Sequence, residues 1–592
     1  MPKRFVSSPF VLFCLLLWAG GLATPWARAE GTAATEAAPA TVYPFKRLLI
    51  ADSESKAAAL KSPPGAGLVF AQDVPVLATK EFADAIKPYM GQPITIEMIK
   101  KLANDVLAYL RNHDRFSTGI VVPSPQDITG GEVRLAVVLG RFKQVQVRGN
   151  RWFSSKQLES SLGLKPGDEV RLSTLEEAVN WTNANPFRRV KVAVNDLQNE
   201  PGLADLVVEV QERIPFRAAV SYDNTGSELL GLNHYSASVQ FGNVWGLGHQ
   251  ASYQYTTTDE SELYQMHSAD YRLPLPWHHY IQLAGAYVVA QPTYNNGIFK
   301  LKGQNVVTNL RYIAPVEHGR LSMEFSAGID FKQANNNFEW YGVQVPQLTS
   351  KNDIFQLSLG ATIVRRDARG AWAIGANVSL SPGNINMRNS DASFANSRAN
   401  GLVLRYDANG NVQYTYDSHL NIVPIQDPVG QSHYAYGTLN LQRLTKLPAG
   451  FQIISHGQLQ ISSANLLGSE QMTIGGQGTV RGYDERISSG DQGYLLSHEL
   501  QSPEWLAMLS FHGRKVGIMQ TRLVAFWDLG KTDYKHNIYG VNAPLLMGAG
   551  LGLRCNVANN FSLAADYGWQ LVETTPRQPD HGRASIKATL SY

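Results

Sequence analysis

The sequence predicts a transmembrane β-barrel of about 16 antiparallel strands, preceded by two small α+β domains. Three observations lead there. The chain opens with the pattern of a secretory leader. No later stretch holds 18 consecutive apolar residues, so the exported protein has no helix able to cross a bilayer. Residues 214–592 alternate apolar and polar side chains in one segment after another. Backbone polar groups find no partners in lipid, so a secreted membrane protein without apolar helices must span as a closed barrel.

In the leader, Lys3 and Arg4 form a basic start, Phe10–Trp18 an apolar run and Ala27-Arg28-Ala29 a small-x-small cleavage site. The apolar run is shorter than the ~20 residues a spanning helix needs. Residues 1–29 are therefore expected to be removed, leaving Glu30 first. Cys14 has no lipoprotein box around it. After cleavage Cys555 is the sole cysteine, so no intramolecular disulfide can form and packing and hydrogen bonds must hold the fold. The chain is 17% charged with a net charge of +3, without the strong basic footprint of a nucleic-acid-binding protein.

Residues 30–66 are rich in Ala, Pro, Ser and Lys. They are expected to be a leader or linker, either flexible or carrying a short helix over Ser53–Lys61 able to move into a pore. Residues 67–213 read as soluble α+β with a weak internal repeat, divided into 67–141 and 142–213. In the first half, Ile96, Ile99, Leu102, Ala103, Val106 and Leu110 recur at helical spacing, with Thr95 placed to cap the helix. The strand Val133–Leu139 follows. In the second half, Phe142–Val147 alternates as a strand, and Val190–Val194 and Leu206–Val210 close the unit. Ser154-x-x-Gln157 and Ser173-x-x-Glu176 read as capping boxes, in which a serine satisfies the free N–H groups of a helix start.

From Ile214 onward helical period gives way to period 2. Tyr235, Ala237, Val239 and Phe241 share one face, as do Leu321, Met323, Phe325, Ala327, Ile329 and Phe331. Phe561, Leu563, Ala565, Tyr567 and Trp569 repeat the pattern, and Ala584, Ile586, Ala588, Leu590 and Tyr592 end the chain on an apolar-out strand. A soluble sandwich would also alternate. The length of the region, its aromatic residues near strand ends and the terminal aromatic favour a barrel in lipid. About 16 strands leave roughly 24 residues for each strand and its connection.

Ile474–Tyr483, IGGQGTVRGY, sets one arginine among four glycines. Gly475 and Gly476 let the backbone take conformations closed to other residues, and the loop delivers Arg481, followed by Gly482 and Tyr483. Along Gly517–Gly530, Met519, Thr521, Leu523, Ala525 and Trp527 share the lipid face, whereas Gln520, Arg522, Phe526 and Asp528 face the lumen. Gly493–Leu500 can turn Glu499 inward. An Arg481 loop entering the lumen would meet Asp528, with Glu499 a further partner, in a directional guanidinium–carboxylate fork. On residues alone such a pair is either a functional latch or one of the ion pairs that any polar lumen holds.

These motifs, in this order, resemble the outer-membrane transporters of two-partner secretion, the hemolysin secretion/activation type (ShlB/FhaC/HecB-like). Pro88-Tyr-Met-Gly91 and Val122-Pro-Ser-Pro-Gln-Asp127 match the first of that family's polypeptide-transport-associated (POTRA) domains. Val147-Arg-Gly-Asn150, Asn183-x-Asn-Pro186-Phe187-Arg188 and Glu212-Arg213-x-Pro215 match the second. Ser221-Tyr-Asp-Asn224-x-Gly226 matches the opening of the barrel, Val480-Arg-Gly-Tyr483 the loop that enters it, and Phe526-x-Asp528-x-Gly530 the strand that receives the loop. Lys587 departs from the family's terminal insertion signal, where a glycine is often found. The resemblance implies an outer-membrane pore with its POTRA domains in the periplasm. It implies export of a large exoprotein with β-helical repeats, an adhesin or hemolysin. It also implies outer-membrane lipid as surroundings, and periplasmic chaperones and barrel-assembly machinery during biogenesis. Alternatives are an assembly insertase of the same superfamily and a passive porin, against which the soluble domains argue.

No enzyme activity, cofactor, metal or nucleic-acid partner is expected. Gly548-Ala-Gly-Leu-Gly552 mimics a dinucleotide loop but lacks the strand–turn–helix context. Its glycines have lumen parity, which suits close backbone approach inside a barrel. His278-His279 lacks the other members of a metal-ligand set and reads as a surface pair.

Overall fold

The computed structural model describes residues 42–592 apart from 66, 198–199, 201, 295–298, 341–342, 345–349, 396–401, 405–413, 417–421, 425, 429, 512–513, 537–542, 559 and 575–580. The expected signal peptide, residues 1–29, lies outside the described residues. The chain forms two compact units: the smaller holds most of the first soluble domain, the larger the second soluble domain and the barrel.

The smaller unit corrects the expected leader or linker at 30–66 over its described residues, from 42 onward. Arg47–Ala51 is a sheet strand, paired in parallel with Val69–Ala71 on one side and with residues 132–136 on the other. Phe45 and Leu48 to Ala51 are fully buried. Parallel strands covered on both faces read as continuous apolar runs, so alternation could not reveal this one. The helix expected over Ser53–Lys61 forms at Glu54–Ala59 and turns Ala57 into the interior. Lys56 ties it down, its Nζ donating to Asp52 at 2.9 Å and Asp73 at 2.8 Å. The candidate plug helix is thus an element of the first soluble domain. Thr95 caps Ile96–Asn112, its Oγ1 accepting from Met98 N at 3.1 Å.

In the second soluble domain Leu203–Glu212 lies between Arg141–Arg148, to which it is parallel, and Arg188–Asp196, to which it is antiparallel. The core joins Phe142, Leu206 and Val208 of the sheet to Leu158 and Leu162 of helix Ser155–Leu162 and Leu175 of helix Leu172–Asn183. Ser154 caps the first helix through Gln157 N at 3.2 Å. Ser173 does not cap the second: the helix starts at Leu172, and the Asp114 carboxylate takes Ser173 N at 2.6 Å. A charged acceptor brought in by the fold outcompetes the local serine. Leu206→Ala is expected to destabilise this domain by about 2–5 kcal/mol, read as faster proteolysis of the domain in the detergent-solubilised chain.

This domain is fastened to the adjacent end of the barrel. Asn185 donates to the Gly242 carbonyl at 2.7 Å and Asn243 to the Trp152 carbonyl at 2.8 Å. His278, expected at a surface, stacks on Trp181 with ring centroids 5.0 Å apart.

The larger part of the chain closes into a 16-strand antiparallel barrel, sealed where Gly582–Ser591 pairs with Phe216–Asp223. Val220, Leu283, Phe325, Leu357, Leu523, Leu551 and Leu590 form an outward apolar surface, whereas Asp330, Gln356, Asp528 and Asp566 are buried inside. Only surroundings of lipid make that outer face favourable. The first strand leaves the second soluble domain, so every connection after an odd-numbered strand lies at the far end. The segment 463–491, after the eleventh strand Gln452–Ser462, is one of these, and it folds back into the lumen.

Candidate functional site

The segment 463–491 carries its own short ladder, Met472–Ile474 against Ser488–Gly490. Met472, Ile474, Val480 and Tyr483 pack with Leu495 and Leu546 of the wall into a dry cluster. At the turn Gly475 and Gly476 have φ of 105° and 97°. A Cβ on Gly475 would lie 2.5 Å from the Asp484 carbonyl oxygen, and one on Gly476 would overlap the Glu485 carboxyl. Glycine is required here by conformation and by space.

The tip delivers Arg481 to the wall. Its Nε donates to Asp528 Oδ2 at 2.7 Å and its Nη2 to Asp528 Oδ1 at 2.8 Å, forming a two-pronged fork. The Arg481 backbone N–H adds a third bond to Oδ2 at 3.1 Å. Nη1 donates to Glu499 Oε1 at 2.6 Å. The guanidinium lies over the Phe526 ring, 3.5 Å from its centroid. Asp528 is fully buried and also accepts from Ser497 Oγ at 2.6 Å. Strand parity explains the convergence: Phe526 and Asp528 on one strand, and Ser497 and Glu499 on its neighbour, all point inward.

The backbone of the loop lies against a floor of glycines. Gly482 has φ of 99°. A Cβ on Gly568 would lie 2.6 Å from Gly482 N, and one on Gly548 would overlap the Arg481 carbonyl oxygen. Of the Gly548–Gly552 run, Gly548 makes its close approach to the Arg481 loop, whereas Gly550 and Gly552 make theirs to neighbouring wall residues. Gln570 holds the Gly482 carbonyl at 2.9 Å. Tyr483 is fully buried; its Oη donates to the Val572 carbonyl at 2.6 Å and accepts from the backbone N–H groups of Met547, at 3.2 Å, and Val572, at 3.3 Å. Tyr483→Phe leaves these groups without the hydroxyl and is expected to cost about 1–3 kcal/mol, read as faster protease nicking of the segment.

Sequence reasoning missed several members. Arg554 bridges Asp566 Oδ1 at 2.7 Å and Glu499 Oε1 at 2.9 Å, so two guanidiniums and three carboxylates form one network. Arg554 has the parity of Gly548, Gly550 and Gly552, and carrying the alternation two residues further finds it. Gly568 had no local signal, because its role is set by a loop more than 80 residues away. The site has donors for carboxylates and acceptors for guanidiniums, all already matched to one another. Among the described residues no group of His, Cys, Asp and Glu is placed to hold a metal ion. The arrangement is a clasp between a loop and a wall.

Comparison with known proteins supplies the family. A family profile for the haemolysin secretion/activation protein ShlB/FhaC/HecB matches residues 202–555. Profiles for a ShlB-type POTRA domain and for a POTRA domain described as a surface antigen variable number repeat match 69–140 and 140–213. The chain is 22% identical over 509 residues to the heme/hemopexin transporter protein HuxB of Haemophilus influenzae (strain 86-028NP), covering 82% of this chain and 80% of the relative. It is 21% identical over 525 residues to the outer membrane transporter CdiB of Dickeya dadantii (strain 3937), covering 85% and 82%. Among solved structures, CdiB from Escherichia coli superposes with a TM-score of 0.67 at 16% identity, over 95% of this chain and 93% of that one. CdiB from Acinetobacter baumannii gives 0.61 at 18% identity, over 94% and 91%. With the family profile running through more than half the sequence, the chain belongs to the ShlB/FhaC/HecB haemolysin secretion/activation family, outer-membrane transporters of two-partner secretion.

Proposed function

We propose that this pore recognises a large exoprotein in the periplasm and exports it to the cell surface, and that the Arg481 clasp holds the lumen segment in the position export requires. The observation that carries this reading is the far-end loop folded into the lumen and forked onto Asp528. A passive solute pore has no need of the second soluble domain fastened at its mouth. Beside the pore mouth, Arg141–Arg148 and Arg188–Asp196 are the outer strands of a three-stranded sheet. An extended cargo segment can add to such an edge through main-chain hydrogen bonds. The cargo is an adhesin- or hemolysin-type protein with β-helical repeats, kept unfolded by periplasmic chaperones until it enters. It threads as a single extended chain, and its folding outside makes return unfavourable. The activity is transport, not catalysis, and needs no cofactor. The barrel sits in outer-membrane lipid, placed there by the barrel-assembly machinery, with both POTRA domains in the periplasm.

The test is depletion of the chain in its native cells, followed by quantification of the outer membrane and of the culture fluid. Loss of one exoprotein with a normal outer-membrane complement supports a dedicated exporter. General loss of outer-membrane proteins would instead identify an assembly insertase, and no change in any exported protein would sink the reading.

A further inference from the structure

The segment 463–491 has a second attachment, on a different part of the wall. Glu470, near its base, has no exposed side-chain surface. Lys332 Nζ donates to both of its oxygens, at 2.9 and 2.8 Å. Gln356 Nε2 reaches Oε2 at 2.8 Å, Tyr436 Oη reaches the same atom at 2.9 Å, and Ser469 Oγ reaches Oε1 at 3.1 Å. Every partner is a donor, which suits a carboxylate, a group that only accepts. Lys332, Gln356 and Tyr436 lie on the strands Leu321–Trp340, Ser350–Asp367 and His433–Lys446. All three precede the segment. The strands that receive Arg481 and the glycine-packed tip, Gln492–Gln501, Arg514–Asp533, Leu546–Val557 and Phe561–Gln570, all follow it. Beside Glu470, Leu466 and Leu467 pack with Ile354, Phe394 and Tyr434 in a cluster separate from the one at the tip.

We propose that Glu470 is a second, independent anchor of the lumen segment, with Lys332 as its counter-charge, so that the segment is a strap fixed at both ends between two arcs of the wall. Each attachment has its own ion pair and its own dry cluster, and no side chain is shared between them. Release at Arg481 therefore frees only the tip. The base stays on the wall through Glu470 and its cluster, helped by backbone-directed bonds from Gln460 to the Glu470 carbonyl at 3.0 Å and from the Leu466 N–H to Asp491 at 2.8 Å. A strap pinned twice can let a chain pass beside its tip without leaving the lumen. Glu470 is a positioning residue: it acts on the exported chain only through the segment it holds.

Cysteine accessibility tests this in the full-length protein in detergent or liposomes, without any cargo, so its outcome is separate from that of the export reading. In a Cys555→Ser background, Leu467→Cys reports on the base and Val480→Cys on the tip, both side chains being buried. Labelling by a water-soluble maleimide proceeds through local opening, and its rate follows the population of the open form. Glu470→Lys is expected to raise labelling at Leu467→Cys at least about tenfold and leave Val480→Cys within about twofold, while Arg481→Ala does the reverse, as for two separately opening parts. The swap Glu470→Lys with Lys332→Glu is expected to return base labelling most of the way. Heat-modifiable migration verifies that each barrel is closed. If Glu470→Lys does not insert, Glu470→Gln replaces it: it keeps the side-chain shape, loses the charge opposite Lys332, and is expected to give the same pattern at smaller size. Unchanged base labelling, joint opening of base and tip in either variant, or a swap as open as Glu470→Lys alone would each overturn the proposal.

Discussion

Arg481→Ala is expected to reduce export at least about tenfold while the barrel still inserts and migrates as a closed, heat-modifiable species. The substitution removes the fork to Asp528, the bond to Glu499 and the cation seated on Phe526. It also leaves the fully buried Asp528 carboxylate without its counter-charge. Removing one partner of a buried pair costs about 3–5 kcal/mol, because the charge left behind is neither solvated nor paired. That penalty falls on the segment and not on the barrel, whose closure rests on the hydrogen-bond ladders of its strands. Asp528→Ala should give a similar loss, since it removes both prongs of the fork and the backbone bond and leaves the guanidinium only Glu499 as a close partner. Arg481→Lys should recover only part of the export, because an ammonium cannot reproduce a planar fork and stacks less well on an aromatic ring. Export is measured as exoprotein in the medium beside the amount of folded barrel in the membrane.

Gly548→Val is expected to be as damaging as Arg481→Ala, although it changes no charge. Its Cβ would overlap the Arg481 carbonyl oxygen, and a backbone atom cannot rotate away as a side-chain end does. The segment must lift off the glycine floor, and the fork to Asp528 lengthens with it. Gly568→Val should behave alike, because its Cβ would lie 2.6 Å from Gly482 N. Gly468 is the control within the same segment: a Cβ there meets nothing within 4 Å, so Gly468→Ala should leave export unchanged. Accessibility of Val480→Cys in each variant shows whether loss of export follows loss of seating.

What was legible in the sequence follows from what the local pattern encodes. Period 2 places side chains on one of two faces, so the inward aim of Phe526, Asp528 and Glu499 could be read before any partner was known. Gly475 and Gly476 announced a turn that other residues cannot make. Arg47–Ala51 was hidden because a strand buried on both faces has no alternation, and its surroundings, rich in Ala, Pro and Ser, look like a linker. Ser173 misled because a capping box is a local signal and Asp114 arrives from outside it. Gly568 and Glu470 were illegible for a common reason. The partner of Gly568 is a loop and those of Glu470 are wall strands, all far along the chain, and only closure of the barrel brings them together.

The fork between Arg481 and Asp528 is the centre of the account, and a double-mutant cycle on seating of the tip tests it most directly. Labelling rates at Val480→Cys are compared in the parent, Arg481→Ala, Asp528→Ala and the doubly substituted protein. If the two groups act as one clasp, each single change opens the tip and the second adds less than about twofold, since the interaction is already gone. Rates that multiply in the double variant would mean that the two residues act separately, and the clasp would not exist.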